Sequence, residues 1–132
     1  MIYALRELQT GHHKIGSSAD EREARRKRLT AIRVKRARLL GRAVTLEFCV
    51  WAPWPGEAET ELHRYLWREW QGDEWFSDSP RLQQVLSWLR ANNYAAWHRD
   101  FRHHLADLPG NWHWKSRERV LKNWFATHPK DL

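Results

Sequence analysis

The first 17 residues of the chain, MIYALRELQTGHHKIGS, contain two short apolar stretches on either side of a turn signal. Residues 2–8 and residues 12–17 have the length and composition of β-strands, and Thr10-Gly11 between them is typical of a turn. We therefore predict a β-hairpin at the start of the chain, and the rest of the fold is predicted outward from it.

Beyond the hairpin, the pattern alternates between helical and extended segments. Asp20 and Glu23 are typical of a helix N-cap and its capping-box partner, so a basic helix should run to about residue 29 or further. Alternating apolar residues predict a strand over residues 44–51, and residues 72–76 resemble a turn or short strand. Further helices are predicted at residues 80–91, 93–106 and 116–127.

These elements predict an α/β fold with a small mixed β-sheet flanked by helices. Residues 1–77 hold all the predicted strands and form the expected core. Residues 78–132 form an expected helical extension that is rich in Trp. A chain of 132 residues is long enough for one domain with one apolar core.

Residues 57–70 show the clearest helical period, with one apolar face and one charged face. The apolar face carries Glu59, Leu62, His63, Leu66, Trp67 and Trp70, and the charged face carries Glu57, Glu61, Arg64 and Arg68. Glu59 is therefore the only one of three neighbouring carboxylates on the inward side. An unpaired carboxylate is costly in an apolar setting, so we take Glu59 as a candidate functional residue.

Composition excludes several classes of protein. The single Cys49 excludes an internal disulfide framework, and no apolar run approaches the roughly 20 residues of a membrane helix. The N-terminus also lacks the apolar region of a signal peptide. We expect a soluble, cytoplasmic protein that does not bind membranes, and the sequence leaves its oligomeric state open.

The positive charge is concentrated in the first part of the chain. Residues 1–50 carry 12 Lys/Arg and 5 Asp/Glu, which accounts for the whole net charge of +7. Residues 22–42 alone hold ten basic residues and one acidic residue. Such a block is typical of a surface that binds a polyanion, although a solvated helix face gives the same pattern.

Four short motifs now resemble, in their order, those of the GIY-YIG nuclease superfamily. Met1-Ile2-Tyr3 stands where the family has Gly-Ile-Tyr, and Lys14-Ile15-Gly16 stands where it has Tyr-Ile-Gly. A basic helix follows, and then Glu59-Thr60-Glu61-Leu62-His63 and Glu74-Trp75-Phe76. The set is similar to a phage and bacterial branch with Lys-Ile-Gly, Glu-x-x-Leu-His and Glu-Trp-Phe motifs, and it covers residues 1–77.

The resemblance implies a metal-dependent DNA endonuclease, prokaryotic or phage-encoded. Tyr3 would activate or orient the attacking water. Glu59 would be the sole protein ligand of one Mg²⁺ or Mn²⁺ ion, and His63 would hydrogen-bond near the site. Lys14, where most members have a second Tyr, would be the general base or the group that orients the water. Glu74 matches a recurrent position to which we assign no role.

An Arg on the first helix would bind the scissile phosphate. Arg25 fits best because it lies four residues before Leu29, as in the Arg-x-x-x-Leu pattern of the family, while Arg22 and Arg26 remain open. The other basic residues would hold the DNA backbone. This expected DNA surface consists of Arg22, Arg26, Lys27, Arg28, Arg33, Lys35 and Arg36.

The residue types agree with this chemistry. Mg²⁺ is held through one or two carboxylates and keeps several waters, and an Arg guanidinium matches the geometry of phosphate oxygens. With a single inward carboxylate evident, one-metal hydrolysis is favoured over a two-metal mechanism.

Two other functions compete with the nuclease. The first is a non-catalytic nucleic-acid-binding module on a degenerate nuclease fold. It is motivated by Lys14, and by the lack of a convincing match to the Asn that many members carry at the end of the core. The second, weaker alternative is a protein-interaction module that uses the Trp-rich tail.

Overall fold

The computed structural model of the protein describes residues 1–19 and 23–109, with side chains of the first helix described from Arg28 onward. Its elements in chain order are β1 (Ile2–Glu7), β2 (His13–Ser17), α1 (Glu23–Leu40), β3 (Leu46–Ala52), α2 (Ala58–Tyr65), β4 (Trp75–Phe76), α3 (Pro80–Arg90) and α4 (Tyr94–His103). Short 3₁₀ turns follow α2 and α4, at Trp67–Glu69 and Leu105–Asp107. The predicted helix at residues 116–127 lies outside the described residues.

The four strands form one sheet in the order β3-β1-β2-β4. The predicted hairpin is confirmed: β1 and β2 are antiparallel, with Tyr3 opposite Gly16 and Leu5 opposite Lys14. The predicted α/β class, a small sheet with flanking helices, is confirmed as well. Every described pairing is antiparallel rather than mixed in direction. For β1 and β2 this follows from their short connection, residues 8–12, which joins only antiparallel strands.

Strand alternation gives the sheet two different faces. Ile2, Ala4 and Ile15 are fully buried on one face, in the main core with residues of α2, α3 and α4. Tyr3 and Leu5 point to the opposite face, where they are buried beneath α1. The main core and the candidate functional side chains of the hairpin are therefore on opposite sides of the sheet.

The last two described helices complete the core of the sheet. Leu82, Leu86 and Leu89 of α3 and Trp97 of α4 are at most 1% exposed and belong to the same apolar cluster as the strands. Both helices begin with side-chain caps, in which Ser79 and Asn93 accept hydrogen bonds from backbone N–H groups. No described helix has the length and apolar character needed to cross a membrane.

Helix α1 extends well beyond the minimum length expected from the sequence. It continues to Leu40 and stops at Gly41, whose φ of +70° is the left-handed conformation that glycine adopts readily. The Arg42 N–H donates to the Ala37 carbonyl at 3.1 Å, which is the long hydrogen bond of a Schellman helix end.

Helix α2, by contrast, is shorter than the predicted span of residues 57–70. The α-helix ends at Tyr65, and a 3₁₀ turn continues to Glu69. Trp70 is extended and bridges with Phe76 of β4, and the Gln71 N–H donates to the Trp75 carbonyl at 2.8 Å. The intervening turn uses positive φ at Gly72 and Asp73. We call residues 70–76 the β4 hairpin, and its tight turn places Glu74 directly beside the outer edge of β2.

Candidate active site

Tyr3 lies at the centre of the candidate site because its strand partner is a glycine. A Cβ atom on Gly16 would lie 2.5 Å from both Cζ and Oη of Tyr3, so the ring fills the space that a side chain would occupy. On its other side, the Tyr3 ring stacks on Trp51 of β3, with centroids 5.8 Å apart. Burial raises the pKa of Tyr3, and the nearby Lys14 only partly opposes this, so the hydroxyl keeps its proton near neutral pH.

Lys14 and Glu74 form an ion pair beside Tyr3. Lys14 is the neighbour of Ile15 and Gly16 on β2, and its Nζ lies 2.5 Å from Oε2 of Glu74. Only 10% of the Lys14 side chain and 19% of the Glu74 side chain are exposed, so water screens this pair poorly. Burial raises the pKa of Glu74, but Lys14 and a hydrogen bond from Glu59 outweigh it and leave that pKa below its ordinary value.

Glu59 joins this pair from α2. Burial, a hydrogen bond to Glu74 and the charge of Glu74 raise the pKa of Glu59 from 4.5 to about 7, against the opposing effects of Ser17 and Lys14. Below about pH 7, the proton of this carboxyl pair therefore resides on Glu59. Glu59 is half-buried, as predicted for the inward side of α2, but Glu61, which was predicted to point away, is half-buried as well, with 23% of its side chain exposed.

Arg28 is the described arginine that reaches the site from α1. Its Nη1 donates to the Ser17 carbonyl at 2.8 Å, and its guanidinium lies close enough to the Tyr3 hydroxyl to lower the pKa of that group. The residue is exposed, and a guanidinium has five N–H donors, so Arg28 can bind a further acceptor besides Ser17. We use the name sheet-edge cluster for Tyr3, Lys14, Arg28, Glu59 and Glu74.

His63 holds α2 against the edge of β2. Its Nε2 lies 2.8 Å from the Ile15 carbonyl, which accepts the hydrogen bond, and its ring packs 5.1 Å from that of Phe76. The residue is 2% exposed. Strand β4 pairs only with His13 and Lys14, so His63 supplies a hydrogen bond to β2 just beyond the end of that pairing. His63 therefore lies one turn after Glu59 on α2 with its Nε2 engaged by the strand, and a role for it in catalysis stays a prediction.

The positions of the other expected DNA-contacting residues fall into two groups. The side chains of Arg22, Arg25, Arg26 and Lys27 lie outside the described residues, so the choice among Arg22, Arg25 and Arg26 stays a prediction. Arg33 and Lys35 are exposed on α1, as a DNA-contacting surface requires. Lys35 also makes a long ion pair with Asp73, at 3.5 Å.

Arg36 differs from the expectation that it contacts DNA. It is only 4% exposed, and its Nε lies 3.1 Å from a carboxylate oxygen of the fully buried Glu7. Its guanidinium stacks over Trp75 at 4.4 Å and lies 2.9 Å from Nδ1 of His12. The charge is compensated inside the protein, so we assign Arg36 to holding α1 on the hairpin and leave it out of the DNA surface.

The acidic pair fits a hard divalent cation. Carboxylate oxygens are the ligands that Mg²⁺ takes in proteins, and it is commonly held by one or two carboxylates with several waters. A cation in place of the proton on Glu59 would relieve the repulsion between Glu59 and Glu74. Within the described ranges, no group of three or more His, Cys, Asp and Glu side chains is placed to hold a metal ion. The two carboxylates therefore fit a cation that takes few ligands from the protein and keeps most of its coordinated water molecules.

Two members of the sheet-edge cluster were not assigned to the site from the sequence. Glu74 had no role because its partner Lys14 is 60 residues away, and no local pattern indicates that contact. Arg28 was placed in the general DNA surface. The spacing could have indicated that Arg28 faces the sheet. Arg28, Ile32 and Arg36 are four residues apart, so they share a face of α1, and the apolar Ile32 marks that face as the inward one.

Comparisons with known proteins find no matching family model, no significant match among curated proteins and none among solved structures. The chemistry of the sheet-edge cluster is thus the basis for any function assigned to this chain.

Proposed function

We propose that this protein is a metal-dependent DNA endonuclease that hydrolyses phosphodiester bonds with a single divalent cation. The observation that carries the proposal is the convergence of the sheet-edge cluster. Segments that are distant in sequence bring a phenol, an ammonium, a guanidinium and a carboxyl pair to one edge of the sheet. These groups are what phosphodiester hydrolysis requires: a water-orienting group, cations for the phosphate and ligands for a metal.

The roles of the residues follow from their contacts. Glu59 and Glu74 would hold Mg²⁺ or Mn²⁺ once Glu59 loses its proton. The bound cation would stabilise negative charge on the phosphate and acidify a coordinated water. Arg28 is held by Ser17 beside Tyr3 and can present a further N–H group to a phosphate oxygen.

Lys14 and Tyr3 flank the position of the attacking water. The Nζ of Lys14 is engaged by Glu74 in a short ion pair, so of its two expected roles we favour orientation of the water over proton acceptance. Tyr3 keeps its proton because burial raises its pKa, and its hydroxyl can both donate and accept a hydrogen bond.

The basic helix supports DNA as the substrate. Residues 22–42 carry a net charge of +9, and among its described residues Arg33, Lys35 and Arg38 are exposed on α1. Contacts of this kind neutralise phosphates, so log affinity should fall with log salt by about 0.9 per phosphate neutralised.

The test is incubation of the purified protein with supercoiled plasmid in Mg²⁺ or Mn²⁺, with EDTA as the metal-free condition. We expect nicked or linear product only with the divalent cation. Glu59→Gln should yield none, whereas Glu57→Gln, a change in an exposed residue two positions earlier, should cut like the wild type. Absence of divalent-dependent product from the wild type would overturn the proposal.

A nucleic-acid-binding module without cleavage is the second candidate. The observation that favours it is the Lys14–Glu74 ion pair, which engages the ammonium and one carboxylate with each other. This candidate predicts salt-sensitive DNA binding that is the same with Mg²⁺ and with EDTA, and no cut product.

A further inference from the structure

A groove of about 780 Å³ runs between α1 and the β4 hairpin, on the α1 side of the sheet. Its volume lies within the range of roughly 300–1,000 Å³ that is usual for ligand pockets. Part of its lining is the Trp75 ring with the Arg36 guanidinium stacked on it at 4.4 Å. This part of the lining is structural, because both residues are at most 4% exposed.

The α1 wall of the groove is apolar and open to solvent. Ala31, Ile32 and Leu39 line it, and Leu39 is 70% exposed, the most exposed of the large apolar side chains described. An apolar wall gains free energy only when it covers apolar surface of a ligand. The faces of nucleobases are such a surface, whereas phosphates and sugars are not.

The rim of the groove is cationic. Lys35 and Arg38 stand along it, with Asp73 as the acidic residue opposite. Lys35 reaches Asp73 only at 3.5 Å, and its side chain is 75% exposed, so a phosphate could replace this partner at little cost. Proteins bind single strands with cations for the phosphates and a surface on which the bases pack, most often aromatic side chains. In this groove the packing surface is aliphatic.

The groove meets the candidate active site at Lys14. Lys14 lines the groove and is also the ion-pair partner of Glu74 in the sheet-edge cluster. A strand lying in the groove would therefore pass beside the ion-pair partner of Glu74.

We propose that this groove binds an unpaired DNA strand next to the phosphate to be cut, so that the substrate is DNA with a single-stranded stretch. A duplex stacks its bases inside and presents mainly phosphates and base edges, which leaves an apolar wall such as Ile32 and Leu39 without a partner. The inference rests on the proposed function, since it names the form of DNA that the same site receives.

The experiment measures binding and cleavage separately for the full chain. Labelled DNA of one sequence is offered single-stranded, fully paired, and paired with an unpaired tail, and Kd is read by fluorescence anisotropy in EDTA. We expect the two forms with unpaired DNA to bind more tightly than the duplex. Leu39→Gln should weaken their binding about threefold to tenfold and leave duplex binding unchanged.

Val34→Gln is the matched control, because Val34 is also an exposed apolar residue of α1, at 45%, and does not line the groove. It should leave all three Kd values unchanged. Equal Kd values for paired and unpaired DNA, or equal losses in the two variants, would overturn the inference. If the Kd values follow the expected order but no divalent-dependent cutting occurs, the proposed function fails and the groove assignment stands. If paired and unpaired DNA bind equally but divalent-dependent cutting occurs, the groove assignment fails and the proposed function stands.

Discussion

At the scale of single residues, the protonation of Glu59, a proposed metal ligand, makes the stability of the fold depend on pH. Its pKa is about 7 in the folded protein against an ordinary value of 4.5. A raised acid pKa means that the folded state holds the proton more tightly than the unfolded state. The resulting stabilisation is complete below about pH 4.5 and is lost as the pH rises through about 7.

Glu59→Gln should remove this pH dependence, because the amide mimics the protonated acid at every pH. We expect the variant to gain stability relative to wild type between about pH 5 and about pH 8. Urea unfolding in EDTA at the two pH values measures the difference. Glu57→Gln should track the wild type, and a constant difference between Glu59→Gln and wild type would contradict the account.

A second prediction at this scale concerns the space beside Gly16. A methyl group there would meet the Tyr3 ring at 2.5 Å, and Tyr3 is confined by Trp51 on its other side. Gly16→Ala should therefore destabilise the protein by about 1–3 kcal/mol and lower the rate of plasmid cleavage more than DNA affinity. Denaturant unfolding and the plasmid assay measure the two effects.

Gly56→Ala is its control, because a Cβ on Gly56 meets nothing within 4 Å. This substitution should be neutral or slightly stabilising through the unfolded state. Equal behaviour of the two variants would show that Tyr3 does not depend on the space at Gly16.

At the scale of elements, sequence periodicity predicted what lies within a single helix or strand. The hairpin and the inward position of Glu59 depend on residues close in sequence, and both are present. The antiparallel direction of β3 and the early end of α2 depend on pairing between distant segments, which local patterns do not encode. Arg36 was misassigned for the same reason, because its partner Glu7 lies on another element.

The Arg36–Glu7 pair gives the prediction for α1. Removing one member of a buried ion pair leaves an uncompensated charge, so Arg36→Ala should destabilise the protein by about 3–5 kcal/mol. Arg33→Ala, at an exposed position of the same helix, should change stability by no more than about 0.5 kcal/mol. Thermal unfolding compares them, and similar unfolding temperatures would argue that Arg36 is a surface residue after all.

At the scale of the whole molecule, the sheet depends on α3 and α4 for its core. Leu82, Leu86, Leu89, Trp97 and Phe101 are all at most 4% exposed in the cluster that contains Ile2 and Ile15. Truncation after Ser77 would expose the apolar face of the sheet, and we expect the fragment not to fold. Circular dichroism and thermal unfolding test this, and a cooperative transition of the fragment would show that the core is complete without these helices.

The fold of the whole molecule also explains which members of the candidate site could be proposed from the sequence and which could not. Tyr3, Lys14 and Glu59 were named because each stands in a short motif. Glu74 and Arg28 acquire a role only when the β4 hairpin and α1 meet the edge of β2. The proton of the carboxyl pair is likewise a property of the folded chain, since neither residue has a partner nearby in sequence.

The measurement that tests the central claim most directly is the single-turnover rate of DNA cleavage by Glu59→Gln at saturating protein, with DNA affinity measured in parallel. If Glu59 and Glu74 hold the divalent cation, the rate should fall by at least about a thousandfold, or ~4 kcal/mol of activation free energy, while Kd for DNA changes little and Glu57→Gln behaves like the wild type. If Glu59→Gln cuts DNA at the wild-type rate, or if rate and affinity fall together, the assignment of the metal site to this acidic pair is wrong.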